Sequence, residues 1–387
     1  MNKLESRELV PELRFPEFIA SQEWRLTTFG EEAIFINGKA YKQDELLDKG
    51  KYRVLRVGNF FTNKEWYYSD LELDKDKYCD DGDLLYAWSA SFGPRIWSGE
   101  KVIYHYHIWK VVEKEGVDKN FLYAILDFET EKMKAQSANG LGLLHITKGA
   151  IENWKCTFPK QKEQKKIADF LSSMDDLITS NTKKLESLEL HRKGLMQKLF
   201  PEEGKSAPEL RFSGFNEGWK KKPFSKLFEI GSGKDHKHLV DGDIPVYGSG
   251  GYMRSVSNYL YEGKSACIGR KGTINRPMLL DGKFWTVDTL FYTHSFENCI
   301  PEFVYLLFQN IDWLKLNEAG GIPSLSKVII NKIEVLIPEE DEQQRIVDCV
   351  SSLDELIQIE SNKIEALKEY KKGLMQKLFP EVKEFIA

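Results

Sequence analysis

The stretch that begins Pro159-Lys-Gln-Lys-Glu-Gln-Lys-Lys-Ile and ends at Pro201 occurs twice, returning at 338–380. The two copies align without a gap at an offset of 179 residues, and 22 of their 43 positions are identical. Neither copy contains an internal proline, and apolar residues recur at alternating steps of four and three. That spacing is a heptad stripe, so each copy predicts one coiled-coil helix of about 39 residues, roughly 58 Å long at ~1.5 Å per residue.

Two polar positions interrupt the apolar stripe at equivalent places in both copies. Asn181 and Glu360 occupy one of these positions, and Arg192 and Lys371 occupy the other. If the helices pair antiparallel, Asn181 and Glu360 should face one another near the middle of the pair. A buried polar contact costs stability but can fix the register of two helices, so these four residues are predicted to set the register. The alternative is that they are solvated interruptions between loosely packed helices.

The duplication extends to the segment that precedes each globular region. Pro-Glu-Leu-Arg-Phe occurs at 11–15 and at 208–212, and a tryptophan follows at Trp24 and Trp219. A repeat of this length is too long for a solenoid. We therefore predict an α+β protein in which two globular α/β domains are separated by two long antiparallel coiled-coil helices in a pseudo-two-fold internal repeat. The predicted boundaries are 1–158 (first domain with its N-terminal segment), 159–201 (first helix), 202–337 (second domain) and 338–387 (second helix with C-terminal tail).

The two globular regions share the order of their predicted elements, but their interiors differ. Short strands are followed by a helix near 120–135 and from 301, then by a glycine-rich loop at 139–142 and at 319–322, and then by a closing strand. Strands are predicted to begin at Tyr52, Asp83, Lys101, Ile244, Ser265 and Phe284. Two domains with the same frame and different interiors could present different residues to two targets.

Composition excludes several classes of protein. The five cysteines are scattered without a Cys-x-x-Cys pair, which favours reduced thiols over disulfides or a zinc site. The N-terminus has no apolar signal-peptide core and no apolar run approaches membrane-spanning length, so we expect a cytoplasmic protein with no membrane partner. The net charge is −5, but the four predicted segments carry −4, +3, +1 and −5 in chain order. Local basic surface is therefore compatible with an acidic total.

Basic residues are concentrated in part of the second domain. Between Gly248 and Leu280 there are five lysines and arginines and a single acid, Glu262. Gly269-Arg-Lys-Gly-Thr is predicted to end a strand, where backbone and guanidinium could approach a phosphate or a guanine edge. A solvated surface loop is the alternative. The matching part of the first domain, 84–112, combines basic residues and histidines with aromatic residues that are more typical of a core than of base stacking, among them Tyr86, Trp88, Phe92, Trp97 and Tyr104.

The sequence offers no catalytic apparatus. His105 and His107 are predicted on one strand, where they would share a face and could bind a metal, but no third ligand follows at a recognisable spacing. Gly231-Ser-Gly-Lys lacks the earlier glycine and the Ser/Thr of a phosphate loop. Methyltransferase, dinucleotide-binding and nucleophile-elbow motifs are also missing. We therefore expect neither catalytic residues nor a metal site.

The chain resembles the specificity subunits of Type I restriction–modification enzymes over nearly its whole length. The Pro-x-x-x-Glu-Gln-x-x-Ile starts and Lys-Gly-Leu-Met-Gln-Lys-Leu-Phe ends of the repeats resemble the conserved helices of that family. Tyr247-Gly-Ser-Gly-Gly-Tyr and Ile268-Gly-Arg-Lys-Gly-Thr resemble phrases of its target-recognition domains. The resemblance implies a non-catalytic subunit in which each domain reads one half of a bipartite, asymmetric sequence in double-stranded DNA. It also implies that the helices set the spacer and dock two copies of a methyltransferase subunit.

According to the same resemblance, restriction and motor subunits join the complex, and S-adenosylmethionine, Mg²⁺ and ATP are bound by partner subunits rather than by this chain. A coiled-coil adaptor whose domains bind proteins is the alternative function, and salt-dependent binding to duplex DNA would separate the two. The candidate DNA-binding residues are Lys39, Asn59, Trp88, Ser89, Ser91, Arg95, Lys234, His236, Tyr247, Ser249, Arg254, Arg270, Lys271, Thr273 and Arg276.

Overall fold

The computed structural model describes residues 9–61, 63–89, 92–137, 145–202 and 204–380. The chain divides into two compact units, of which unit 1 comprises Met1–Asn181 and Lys363–Ala387, and unit 2 comprises Thr182–Asn362. Each unit therefore contains one globular region and half of each long helix. The mixture of helix and sheet confirms the predicted α+β class. The sequence-based domain boundaries remain predictions, because this division cuts through the long helices rather than between them.

The described residues of unit 1 form three antiparallel or mixed sheets and four helices besides the long ones. The sheet orders are β1-β10, β2-β9-β6-β7 and β4-β3-β8-β5, with β3 and β8 parallel. The strands are β1 (Arg25–Thr28), β2 (Ala33–Asn37), β3 (Tyr52–Leu55), β4 (Tyr67–Ser69), β5 (Tyr78–Cys79), β6 (Leu84–Ala87), β7 (Gly93–Ile96), β8 (Val102–Tyr104), β9 (Ile108–Glu113) and β10 (Lys155–Phe158). The helices are α1 (Phe29–Glu32), α2 (Val57–Phe61), α3 (Lys119–Ser137) and α4 (Lys148–Glu152).

Unit 2 repeats this topology strand for strand. Its sheet orders are β11-β20, β12-β19-β16-β17 and β14-β13-β18-β15, with β13 and β18 parallel. The strands are β11 (Lys220–Pro223), β12 (Glu229–Ser232), β13 (Asp241–Gly248), β14 (Gly251–Val256), β15 (Tyr261–Glu262), β16 (Ser265–Gly269), β17 (Met278–Leu280), β18 (Lys283–Thr286), β19 (Leu290–His294) and β20 (Glu334–Ile337). The shorter helices are α6 (Pro301–Asn310) and α7 (Lys327–Lys332).

The two predicted rods are α5 (Gln161–Leu199) and α8 (Glu340–Leu378), each of 39 residues. The apolar stripe supplies their inner face: in unit 1, Ile167 and Leu171 share a core with Met375 and Leu378. Residues early in α5 contact residues late in α8, so the halves in unit 1 pair antiparallel, as expected from the sequence. Among the residues described, no helix is long and apolar enough to cross a bilayer.

Polar contacts between the paired helix halves use the interrupted positions of the stripe. In unit 1, Lys371 donates to Asp175 at 2.6 Å, and Lys363 donates to Asn181 at 2.7 Å. Unit 2 contains the equivalent pairs 179 residues away, since Arg192 binds Asp354 and Lys184 binds Glu360 at 2.6 Å. Asn181 and Glu360 are buried. Each has a lysine of its own unit as a partner, and their role in register stays a prediction.

A buried ion pair joins each globular region to the start of a long helix. Arg14 donates to both carboxylate oxygens of Glu163 at 2.7 Å, and the indole of Trp24 donates to the same carboxylate at 3.2 Å. In unit 2, Arg211 donates to both oxygens of Glu342 at 2.8 Å. The repeated phrases Pro-Glu-Leu-Arg-Phe and Pro-x-x-x-Glu-Gln therefore recur together because the arginine of one binds the glutamate of the other.

We expect Arg14→Ala to destabilise unit 1 by about 3–5 kcal/mol, because it leaves the Glu163 carboxylate buried without its cation. Both side chains are less than a tenth exposed. The measurement is the free energy of unfolding in urea. The control is Lys198→Ala, which breaks an ion pair with Glu209 that is more than half exposed on both sides and should cost at most about 1 kcal/mol. Equal costs for the two variants would contradict the buried-pair interpretation.

Candidate nucleic-acid interface

Three segments distant in sequence meet at the end of one sheet in unit 2. The amide of Arg270, just after β16, donates to the carbonyl of Thr289 at 2.8 Å. The carbonyl of Arg270 accepts from the amide of Leu325 at 2.9 Å, and Lys271 forms a β-bridge with Ser324. We call this the unit 2 loop junction, formed by 270–271, 287–289 and 324–325.

Unit 1 has a loop junction with the same backbone bonds. The amide of Trp88, just after β6, donates to the carbonyl of His107 at 3.1 Å. Its carbonyl accepts from Ile146 at 3.0 Å, and Ser89 forms a β-bridge with His145. The unit 1 loop junction therefore consists of 88–89, 105–107 and 145–146. Trp88 is the structural counterpart of Arg270, and Ser89 that of Lys271.

The unit 2 junction presents fixed positive charge to solvent. Arg270 and Lys271 are exposed and line a cleft of about 790 Å³, together with Lys327 and the single acid Glu318. A side chain at Gly272 would be strained, since its φ is +90°. The structure therefore places both predicted basic residues at a strand-to-turn junction, as the sequence suggested. An open cleft with three cations is electrostatically suited to a polyanion.

A second cleft adjoins the first and contains two more candidates. His236 and Ser249 line about 550 Å³ of open space with Asp288 and Thr289, and the amide of Ser249 donates to Thr289 Oγ1 at 3.4 Å. A Cβ atom on Gly272 would lie 3.2 Å from Ser249 Oγ, which shows how closely the two clefts adjoin. His236 Nδ1 is buried with no hydrogen-bond partner among the described residues. These contacts bring His236 and Ser249 to the unit 2 loop junction.

The other candidates of unit 2 have different surroundings. Arg254 donates to the Leu239 carbonyl at 2.9 Å and to Asp241 at 3.0 Å, so part of its donor capacity is used within the domain. Tyr247 packs against an apolar cluster under β13. Lys234 is exposed, and its amide donates to the Thr286 carbonyl at 2.8 Å. Thr273 is half-buried beside Gly272, and Arg276 is exposed.

In unit 1 the structure gathers fewer of the candidates. Trp88 and Ser89 lie in the loop junction, and Lys39 is the counterpart of Lys234, because its amide donates to the Tyr104 carbonyl at 3.0 Å. The Lys39 ammonium pairs with Glu45 at 3.2 Å. Ser91 lies outside the described residues.

Two candidates of unit 1 have structural contacts of their own. Asn59 lies in α2, where its amide donates to the Glu65 carbonyl at 2.6 Å and to the Asn63 carbonyl at 3.3 Å. Arg95 lies on β7 with its guanidinium over the rings of Phe60 and Phe61, and it lines a separate cleft beside α3 and α5. The structure therefore does not bring Asn59 or Arg95 to the loop junction.

The prediction of one strand that begins at Lys101 and carries both His105 and His107 was wrong. β8 ends at Tyr104 and β9 begins at Ile108, and the intervening His-Tyr-His segment forms a turn. His105 and His107 therefore do not alternate along a strand. Among the described residues, no group of three His, Cys, Asp or Glu side chains could hold a metal ion.

The His-Tyr-His turn contains candidate interface residues that were not predicted from the sequence. Tyr106 is partly exposed, and its ring centroid lies 5.9 Å from that of Trp88 and 3.9 Å from that of His107. Burial lowers the pKa of His107, and burial, with the neighbouring His107 and Arg56 as smaller causes, lowers the pKa of His105 to about 4. Both rings are therefore uncharged near neutral pH. The run of three rings was the available signal, but it was interpreted as strand.

Comparisons with known proteins agree with this architecture. The family described as the Type I restriction modification DNA specificity domain matches residues 22–190 and 216–369. The MjaVIII specificity subunit of a Type I restriction enzyme from Methanocaldococcus jannaschii is 25% identical over 95% of this chain and 93% of its own length. A putative MjaX specificity subunit from the same organism is 24% identical over 66% of each chain.

Two solved structures share the fold. The S subunit of a Type I restriction–modification system from M. genitalium superposes with a TM-score of 0.65 at 18% identity, covering 97% of this chain and all of that one. A chain solved in a study of complex assembly and conformational transition of the type I R-M system gives 0.56 at 13% identity, with coverages of 92% and 97%. The family match spans most of the sequence in two copies, one in each globular region. The chain belongs to the family of Type I restriction–modification DNA specificity subunits, which recognise DNA sequence, and it carries two target-recognition domains.

Proposed function

We propose that each unit reads one half of a bipartite, asymmetric DNA sequence through its loop junction. The observation that carries this proposal is that two identical backbone frameworks present different side chains at equivalent positions. Trp88 and Ser89 occupy the places that Arg270 and Lys271 occupy in unit 2. A pair of sites with the same frame and different chemistry is suited to two different half-sequences.

The chemistry of modification and cleavage belongs, in this proposal, to partner subunits. Two copies of a methyltransferase subunit dock on the chain, and restriction and motor subunits join for cleavage. S-adenosylmethionine, Mg²⁺ and ATP bind to those partners, and this chain itself is non-catalytic. The lack of methyltransferase, dinucleotide-binding and nucleophile-elbow motifs in the sequence supports this assignment, as does the family to which the chain belongs. The complex acts on DNA in the cytoplasm, without a membrane partner.

Exchanging residues 220–337 for the matching segment of a relative should change one half of the methylated sequence and leave the other half unchanged. The reason is that strands β11–β20 and the unit 2 loop junction lie within that segment. The measurement is sequencing of methylated sites in cells that carry the complete system. The reciprocal exchange within the first domain is the control and should alter the opposite half. A change in both halves after a single exchange would contradict one-unit, one-half recognition.

The Arg270→Ala and Lys271→Ala variants should weaken DNA binding without impairing methyl transfer at saturating DNA. A residue that contacts phosphate should lower affinity for all duplexes and reduce the salt slope by about 1. A bidentate guanine contact should instead remove roughly 1–3 kcal/mol of discrimination at one base pair. Binding of the complex is measured across salt concentrations, with Lys283→Ala as the control because Lys283 is a surface lysine on β18. Unchanged affinity and specificity in the double variant would exclude this site.

Inserting one heptad into both α5 and α8 should lengthen the unread spacer and leave each half-sequence unchanged. Seven residues add ~10 Å of helix, which corresponds to about three base pairs at ~3.4 Å each. A whole heptad preserves the phase of the apolar stripe, whereas a four-residue insertion shifts that phase and locally unwinds the pair, so it serves as the control. Methylated sites are sequenced as before. An active heptad variant that keeps the original spacer would show that the helices do not measure the distance.

A further inference from the structure

The counterpart residues Trp88 and Arg270 make the same contact with different chemical groups. The indole N–H of Trp88 donates to the carbonyl of Tyr106 at 2.7 Å. Arg270 Nη1 donates to the carbonyl of Asp288 at 3.4 Å. Tyr106 and Asp288 are themselves counterparts. The residue before Tyr106 donates its amide to the end of the parallel strand β3, and the residue before Asp288 donates its amide to the end of the parallel strand β13. The side chain of Trp88 therefore joins the end of β6 to the turn after β8, and the side chain of Arg270 joins the end of β16 to the turn after β18.

The indole and the guanidinium differ in the number of N–H donors that remain after that bond is made. An indole has a single N–H, and in Trp88 the Tyr106 carbonyl occupies it. A guanidinium has five N–H donors in a planar fork, and the bond from Arg270 to Asp288 uses one of them. The exposed remainder of Arg270 can still form two parallel hydrogen bonds. Trp88 can offer only the faces and edges of its ring.

Rings surround Trp88 where polar groups surround Arg270. The Trp88 ring stacks on Trp109 at 5.7 Å and meets the edge of His107 at 4.9 Å, and Tyr106 is 38% exposed. The positions of Tyr106 and His107 are held in unit 2 by Asp288 and Thr289. Burial lowers the pKa of His107, so this cluster carries no imidazolium charge near neutral pH. The unit 1 loop junction is therefore lined by rings at the positions where the unit 2 loop junction has polar groups.

We propose that the ring cluster of Trp88, Tyr106 and His107 reads an A·T pair by apolar contact with the thymine methyl group, whereas Arg270 reads a guanine. This inference rests on the proposed recognition of one half-sequence by each unit. In the major groove only thymine presents a methyl group, and an apolar side chain contacts it favourably. Guanine presents two acceptors that match the arginine fork, and this is the commonest specific protein–base contact.

The decisive variant is Trp88→Arg, which installs the unit 2 residue in the unit 1 framework. Arginine is planar and stacks on aromatic faces, so it can keep the packing against Trp109 and the bond to the Tyr106 carbonyl. Methylated sites of the complete complex should then show a guanine in place of an A·T pair at one position of the first half-sequence. The expected preference is roughly 5- to 150-fold over the original base. An active variant with an unchanged first half-sequence would overturn the proposal.

A second variant tests the proposed thymine contact if the complex with Trp88→Arg no longer recognises its half-sequence. Tyr106→Ala removes a partly exposed ring without touching the Trp109 stack, and it should relax the A·T preference at the same position. Asp288→Ala is the matched control at the counterpart position, and it should leave the first half-sequence unaltered. A Tyr106→Ala variant with full A·T preference would refute the assignment, as would a wild-type first half-sequence without any A·T pair. After either refutation, the exchange of residues 220–337 still tests independently whether each unit reads one half of the DNA sequence.

Discussion

A carboxylate buried at the first turn of each long helix holds the globular region and the helix together. Glu163 and Glu342 are each about 2% exposed, and each is neutralised by an arginine from the segment that leads into the domain. Burial of an unpaired carboxylate would cost several kcal/mol, so neither the helix start nor the lead-in segment is stable in this form alone. The neighbouring glutamines, Gln164 and Gln343, bind the carbonyls of Pro159 and Pro338 at 2.9 Å. Two adjacent side chains thus fix both the direction of the helix and its distance from the closing strand.

Farther along the helices, equivalent positions pair an aspartate with different cationic residues. Arg192 binds Asp354 and uses a second nitrogen to bind Gln309 of α6 at 2.9 Å. In unit 1 the cation is Lys371, and the residue of α3 in the same neighbourhood is Asp127, whose pKa is raised chiefly by burial. An arginine fork can bind further acceptors at a fixed angle, whereas an ammonium acts as a compact point charge. The residue on the long helix and the residue on the domain thus differ together between the two units.

The sequence predicted the parts of the fold that depend on local periodicity. The heptad stripe and the absence of internal proline were sufficient for α5 and α8, and the repeated phrases were sufficient for two equivalent regions. The turn at 105–107 was missed because it contains neither glycine nor proline and lies between strand-favouring residues, Val102-Ile-Tyr on one side and Ile108-Trp on the other. The loop junctions could not be predicted, because they join segments far apart in sequence through backbone hydrogen bonds, and backbone groups leave no signature in the side-chain pattern. Arg270 and Lys271 were identified only because charge and glycine coincide there.

The same backbone bonds explain why the residues proposed to recognise DNA can change while the domain stays intact. Trp88 and Arg270 are each held by hydrogen bonds of their own backbone amide and carbonyl, and the residue after each forms a β-bridge. None of these contacts depends on the side chain. The cost of replacing the side chain is therefore confined to the contacts of the side chain itself. For Trp88 these are the Trp109 stack and the Tyr106 carbonyl, and for the otherwise exposed Arg270 the Asp288 carbonyl. Replacement at Arg270 should cost little stability, whereas replacement at Trp88 has to preserve a planar group over Trp109. We therefore expect unit 1 to tolerate a narrower set of residues at its loop junction than unit 2, and the half-sequence that we propose it reads to be harder to change.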